Sequence, residues 1–229
     1  MAEWASNLSD QFYKCFIKDD RYKLLISGTG VTIKVSLLAI VLGILIGMLI
    51  VLCSLSKRKL LRCIGGIYTD VIRGTPAVTQ LMIIYFVIFA SVQLDKWIIA
   101  AIAFGINSGA YVSEIIRAGI LSIDKGQTEA GRSLGLSAFQ TMSRIVVPQA
   151  VKNIFPALCN EFIVLIKETA IVGYVGLMDI QKAGDFIKSA TFIAFMPLIG
   201  TAIIYYVLIK LLTLALGKVE ERLRRADAR

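Results

Sequence analysis

The sequence predicts an all-α, polytopic membrane protein with five transmembrane helices, and three observations carry that reading. The chain of 229 residues is 57% hydrophobic and only 18% charged, with a mean hydropathy of +0.75. An ordinary soluble domain carries about a quarter of its residues as charges. Several apolar runs reach the roughly 20 residues that a helix needs to cross a bilayer. The basic residues behind the net charge of +9 sit in short connections between those runs, a pattern that sets topology and argues against nucleic acid as a partner.

Met1–Lys23 mixes acids and bases, with Trp4, Leu8, Phe12, Tyr13, Phe16 and Ile17 at near-helical spacing. It reads as an amphipathic segment on the membrane surface and does not resemble a cleavable signal peptide. The first span runs from about Leu24 to Leu55; its Val35–Cys53 stretch has no charge, and Gly43 and Gly47 form a G-x-x-x-G pair suited to close helix packing. A basic loop with Lys57, Arg58, Lys59 and Arg62 follows. The second span, about Ile64–Val92, carries Arg73-Gly74-Thr75-Pro76 near its start, where proline bends a helix. The third span is about Trp97–Ile120, with Asn107 and Ser108 near its middle and Glu114 and Arg117 toward its end. The fourth covers about Val151–Val175, and the last Phe192–Leu216, with a polar connection Asp179–Lys188 between them. Lys218–Arg229 is a basic tail.

The bases of the loop after the first span, of the Arg117–Lys152 connection and of the tail fall on one side of the membrane. On the other side acids balance bases. The basic side is expected to be cytoplasmic, which puts the N-terminus outside and the C-terminus inside. No linker or tandem repeat divides the chain, so one transmembrane domain, residues 24–217, is expected between the segment 1–23 and the tail 218–229.

The chain has no histidine, which excludes histidine general bases, Ser-His pairs and His-ligated metals. Cys15, Cys53, Cys63 and Cys159 form no C-x-x-C pair and are expected to be ordinary apolar residues rather than a disulfide framework or metal site. No cofactor is expected on this chain. An intramembrane serine enzyme is disfavoured because the chain has no histidine to activate the nucleophile.

The polar, glycine-punctuated stretch Gly126–Ala150 is the most informative. Thr128 is a plausible N-cap for a helix beginning at Glu129, whose carboxylate suits a first turn. Ala130 and Gly131 keep that turn thin. Gly135 suits a left-handed stop, Leu134 and Leu136 offer apolar contact, and Pro148 fits the start of the fourth span. A helix is expected at about 126–137.

Glu129-Ala130-Gly131, then Gly135, Ile145 and Pro148, resembles the EAA loop of ABC importer permeases, with Gly131 in place of the second alanine and Val147 in place of leucine. Arg73-Gly74-Thr75-Pro76, Ala110-Tyr111-Val112-Ser113-Glu114, Arg117-Ala118-Gly119, Gly126-Gln127, Pro148-Gln149-Ala150 and Lys167-Glu168-Thr169 follow in an order similar to the polar amino acid uptake permeases. The resemblance covers about Gly28 to Leu216. It implies a type I importer fold in the bacterial plasma (inner) membrane. It also implies two cytosolic ATP-binding subunits holding ATP and Mg, a second permease subunit, an extracytoplasmic substrate-binding protein and a polar amino acid as solute. The EAA stretch would be a cytoplasmic coupling helix. The Lys167-Glu168-Thr169 stretch corresponds to a K-D-T stretch at the family's solute pathway, here with glutamate for aspartate.

On the fourth helix Glu161 and Glu168 share a face, as do Asn160 and Lys167, each pair roughly 10 Å apart along the axis. Ionisable groups inside a span usually face a cavity or the bundle interior. Arg73, Thr75, Asn107, Asn160, Glu161, Lys167, Glu168 and Thr169 are therefore the candidate pathway residues, Glu168 for an ammonium and Thr169 for a carboxylate. Pairing of these groups with neighbouring helices is the alternative for each, and Glu114–Arg117 reads as a structural pair. At the level of function the alternatives are a permease for another small solute and a channel or scaffold subunit.

Overall fold

The computed structural model describes residues 2–225, and the side chains of residues 7–222. Trp4 of the amphipathic segment and the last arginines of the tail lie outside the described side chains. Within the described residues the fold is all-helical: α1 (Ala2–Phe12), α2 (Tyr22–Ser54), α3 (Lys59–Arg73), α4 (Ala77–Ile83), α5 (Lys96–Leu121), α6 (Lys125–Ser133), α7 (Ala138–Thr141), α8 (Val147–Glu168), α9 (Ile180–Thr191) and α10 (Phe195–Arg225). Three helical stretches are long and apolar enough to cross a membrane, Tyr22–Ser54, Lys96–Leu121 and Phe195–Arg222. A fourth is added if the bent pair Lys59–Arg73 and Ala77–Ile88 counts as one span.

The chain forms two compact units. One comprises residues 1–39, 77–104 and 165–212, the other 40–76, 105–164 and 213–229. In the first, Cys15, Phe16, Leu25, Ala183 and Ile187 form a buried cluster. The N-terminal segment is thus anchored on the protein's own helices at Cys15 and Phe16, and the Phe16 ring fills the space beside Gly200. Asp179 caps α9, accepting hydrogen bonds from the backbone N–H of Gln181 (3.2 Å) and Lys182 (2.9 Å). Gly28 of α2 lies against the Asp179 backbone, where an added Cβ would come to 2.6 Å.

In the second unit, Gly43 and Gly47 of α2 face α5. A Cβ on Gly43 would lie 3.0 Å from Ser108, and one on Gly47 2.7 Å from Val112. The G-x-x-x-G pair therefore permits close approach, as its spacing predicts. The opposite face of α2 exposes Leu45, Leu49 and Leu52, as a lipid-facing stripe should. Tyr68 of α3 donates to the Ile106 carbonyl of α5 at 2.6 Å.

Three expectations about the helices change. The second span is not one helix over 64–92: α3 stops at Arg73 and α4 begins at Ala77. Gly74 ends α3 with its N–H on the Asp70 carbonyl, and Pro76 has no N–H to continue the ladder. The polar connection Asp179–Lys188 is a helix whose Ile180, Ala183, Gly184 and Ile187 are buried; its charges occupy the other face. Finally, α8 begins at Val147, before the expected Val151, with Pro148 as its second residue. A π turn, Met142–Val146, leads into it, and a 3₁₀ turn, Thr169–Val175, follows it.

Candidate functional site

The segment that the EAA resemblance marks folds as a capped helix, α6, but it starts earlier than Thr128. Asp124 is the N-cap, and its carboxylate accepts from the Gly126 N–H at 2.6 Å. An Asp placed there outcompetes Thr128 because its oxygen reaches the first unpaired N–H groups of the turn. Glu129 therefore lies mid-helix, exposed, together with Ala130. The helix ends as expected at Gly135, whose φ is +84°. The Gly135 N–H bonds to the Arg132 carbonyl (3.1 Å) and the Leu136 N–H to the Gly131 carbonyl (3.2 Å), which is the paired closure of a Schellman motif. The Arg132 side chain adds a 2.7 Å bond to the Leu136 carbonyl.

Ser137 then opens α7 with a capping box: its hydroxyl accepts from the Gln140 N–H while the Gln140 side chain accepts from the Ser137 N–H. Two helix ends are thus closed within a few residues, and the turn between them is held by specific bonds. Gly131 is buried against Thr141 and Ile145, where a Cβ would stand 2.9 and 2.8 Å from their side-chain carbons. That contact explains glycine in place of alanine. Leu134 and Phe139 remain 82% and 80% exposed, so the segment presents apolar side chains outward from a rigid turn. Leu136 is half-buried and Pro148 exposed.

The candidate pathway residues do not form one constellation. In the unit containing residues 105–164, the Glu161 carboxylate accepts a 2.7 Å hydrogen bond from Ser108, Asn107 is buried on α5, and Asn160 is exposed. In the same unit Arg73 is half-exposed and lies 3.7 Å from the Glu114 carboxylate, with its guanidinium 5.5 Å from the centre of the Tyr111 ring. Thr75 donates to the Val71 carbonyl. Arg117 holds Glu114 through two bonds, 3.0 and 2.7 Å, the pairing that their spacing predicts. In the other unit, Lys167 is exposed and Glu168 half-buried. Thr169 is fully buried and donates to the Ile166 carbonyl at 2.7 Å. Its proton is used within the backbone, so the expected donation to a carboxylate is not what the hydroxyl does here.

Sequence reasoning passed over Asp70 and Tyr111. With Thr69, Gly74 and Glu114 they surround Arg73 in an open pocket of about 450 Å³. The signal was present as polar or glycine positions at 66, 69, 70 and 73, one helical face.

A family described as binding-protein-dependent transport system inner membrane component matches residues 39–225. The arginine transport system permease protein of Bacillus subtilis is 42% identical over 205 residues, covering 89% of this chain and 94% of that protein. The glutamine transport system permease protein of Escherichia coli is 33% identical over 204 residues, with coverages of 88% and 93%. A crystal structure of an amino acid ABC transporter with histidines superposes with a TM-score of 0.83 at 41% identity, covering 90% of this chain and 98% of that one.

Proposed function

This chain belongs to the family of binding-protein-dependent transport system inner membrane components, and on that premise we propose that it is the permease subunit of an ATP-driven importer for a polar amino acid. The rigid, outward-facing α6 turn with exposed Leu134 and Phe139 is the observation that carries the reading. A force-transmitting contact needs a helix held at a fixed angle, and closed caps at both ends provide one. Glu129, Ala130, Gly131, Leu134, Gly135, Leu136 and Pro148 form or support this coupling surface, which docks on a cytosolic ATPase. ATP and Mg are held by that partner, and this chain performs no hydrolysis.

The complex comprises two ATPase subunits, two permease subunits and an extracytoplasmic binding protein. Five spans, counting α8 despite its charges, place the N-terminus outside and the C-terminus in the cytoplasm of a bacterial inner membrane. The transmembrane domain is residues 24–217, flanked by 1–23 and 218–229. Arg73, Thr75, Asn107, Asn160, Glu161, Lys167, Glu168 and Thr169 line or support the solute route. Transport proceeds by alternating access: the ATPase and the solute each bias the same two-state permease, so their effects are reciprocal.

The test is uptake into liposomes by the reconstituted complex with its binding protein, using labelled amino acids. ATP-dependent uptake of one polar amino acid, lost with Glu129→Arg, supports the reading. Uptake of a different solute class moves the chain to another permease group, and the absence of any co-purifying ATPase overturns the reading.

A further inference from the structure

A groove between α2, α5 and α8 encloses about 270 Å³ and is lined only by apolar side chains, among them Ile44 and Met48 of α2, Ile120 of α5, and Val151, Phe155 and Leu158 of α8. Its floor is closed, because Ala150 and Ile154 are buried and Gly119 of α5 leaves no room for a Cβ beside Ile154. Its lip is open: Met48 is 43% and Val151 49% exposed. With no polar side chain to meet a charged amino acid, the groove lies outside the solute route. Its length selects the occupant. Along α8 the lining runs from Val147 to Leu158, about 16 Å at about 1.5 Å per residue. That is about half of the roughly 30 Å hydrocarbon core, the depth of one leaflet. A transmembrane helix of a second copy needs a seat across both leaflets, whereas a lipid acyl chain needs only one.

The groove ends where positive charge begins. Ile120 and Val147 mark its loop end, where Asn153 of α8 donates to the Ser122 hydroxyl at 2.9 Å. Arg144, one turn before Val147, is exposed, and among the described residues no carboxylate pairs with it. Between Glu129 and Glu161 the chain has no acid, only the bases Arg132, Arg144 and Lys152. Lys57, Arg58 and Lys59 follow α2 at the same end. We propose that the groove binds one acyl chain of an anionic phospholipid of the cytoplasmic leaflet, with the phosphate on Arg144. The choice of leaflet rests on the orientation proposed above. A guanidinium fork matches phosphate oxygens through two parallel hydrogen bonds, and anionic lipids of the cytoplasmic leaflet gather at bases beside a span. Because the groove touches three helices, the lipid packs between them and is set apart from the fluid lipid along the exposed Leu45, Leu49 and Leu52 stripe.

The experiment reconstitutes the permease–ATPase complex in phosphatidylcholine vesicles doped with phosphatidylglycerol or phosphatidylcholine that carries a photoreactive diazirine in one acyl chain, and maps the adducts by peptide mass spectrometry. Photoreactive phosphatidylglycerol is expected to label Met48, Val151 and Phe155 in preference to Leu45 and Leu49. It should label them about fivefold more than the phosphatidylcholine probe does, the ratio for one basic residue at an anionic surface. Arg144→Gln should bring the two probes level at the groove. Val151→Trp fills the groove from its open lip and should remove labelling of Met48 and Phe155 but not of Leu45 and Leu49. Equal labelling of groove and stripe, or a preference for phosphatidylglycerol that survives Arg144→Gln, overturns the proposal. An unlabelled groove overturns it too, and cross-linking between copies through Met48→Cys then identifies the groove as a permease–permease interface. Orientation is tested apart from lipid binding. Arg144→Cys that reacts with a membrane-impermeant maleimide in intact spheroplasts, where the parent chain does not, overturns the cytoplasmic assignment and the importer orientation, whatever the groove holds.

Discussion

The Ser108 hydroxyl donates a 2.7 Å hydrogen bond to Glu161, linking the middle of α5 to α8. Gly43 of α2 stands directly behind that serine, so the position admits a small side chain and little more. Ser108→Ala should lower stability by about 1.5–3 kcal/mol, the scale of a hydrogen bond to a charged group. Thermal unfolding of Ser108→Ala, Glu161→Gln and the double variant closes a cycle. A double variant whose loss equals the sum of the singles would show that the bond contributes no coupling.

Gly47 predicts a second, purely steric coupling. Its Cβ would meet Val112 Cγ1 at 2.7 Å, and overpacking of this kind costs about 1–3 kcal/mol. Gly47→Ala should lower the thermal midpoint, and adding Val112→Ala should restore part of it. Failure of the second change to rescue the first would place the effect elsewhere than in this contact.

The α6 turn separates stability from coupling. Leu134→Asp changes a side chain that is 82% exposed and should leave stability within about 0.5 kcal/mol while abolishing ATP-driven uptake. Gly135→Ala should act oppositely. Its φ of +84° is costly for other residues by about 1–2 kcal/mol, so this variant should loosen the turn and reduce uptake in proportion to lost helix order. Parallel uptake assays and thermal unfolding distinguish the two.

Asp179 gives a pH dependence with a definite sign. Burial pushes its carboxyl above the usual range, opposed by the N–H groups of Lys182 and Gln181 and by the Tyr205 hydroxyl at 3.2 Å. The folded protein therefore holds this proton at pH values where the unfolded chain, near about 3.9, has released it. The contribution is fully present below the unfolded value and is lost as pH rises through the raised folded value. Asp179→Asn keeps an oxygen for the cap and removes the ionisation. Thermal midpoints measured across pH should fall less steeply with rising pH in this variant than in the parent, and identical slopes would refute the assignment to Asp179.

Much of the architecture and of the α6 segment was legible from local pattern. Gly43 and Gly47, the Gly135 stop, the Glu114–Arg117 pair and the long apolar runs depend on spacing along one helix, which sequence displays directly. Asp124 was missed as the cap of α6 because Thr128 and Asp124 are both good caps, and the choice depends on where Gly131 packs against Thr141 and Ile145. The buried face of α9 was missed because its charges dominate a short polar stretch, and burial of Ile180 and Ile187 requires neighbours far away in sequence.

The sequence by itself determined the helical membrane class, the family and the glycine stop of α6, because hydropathy and the EAA spacing are properties of contiguous residues. Only the tertiary structure decided that the second span breaks after Arg73, that Thr169 spends its hydroxyl on the Ile166 carbonyl, and that Arg73 meets Glu114 and Tyr111 of α5. Those outcomes depend on which groups meet across helices separated by tens of residues. A charge on a helix face reads the same in sequence whether its partner is a neighbouring side chain or a solute.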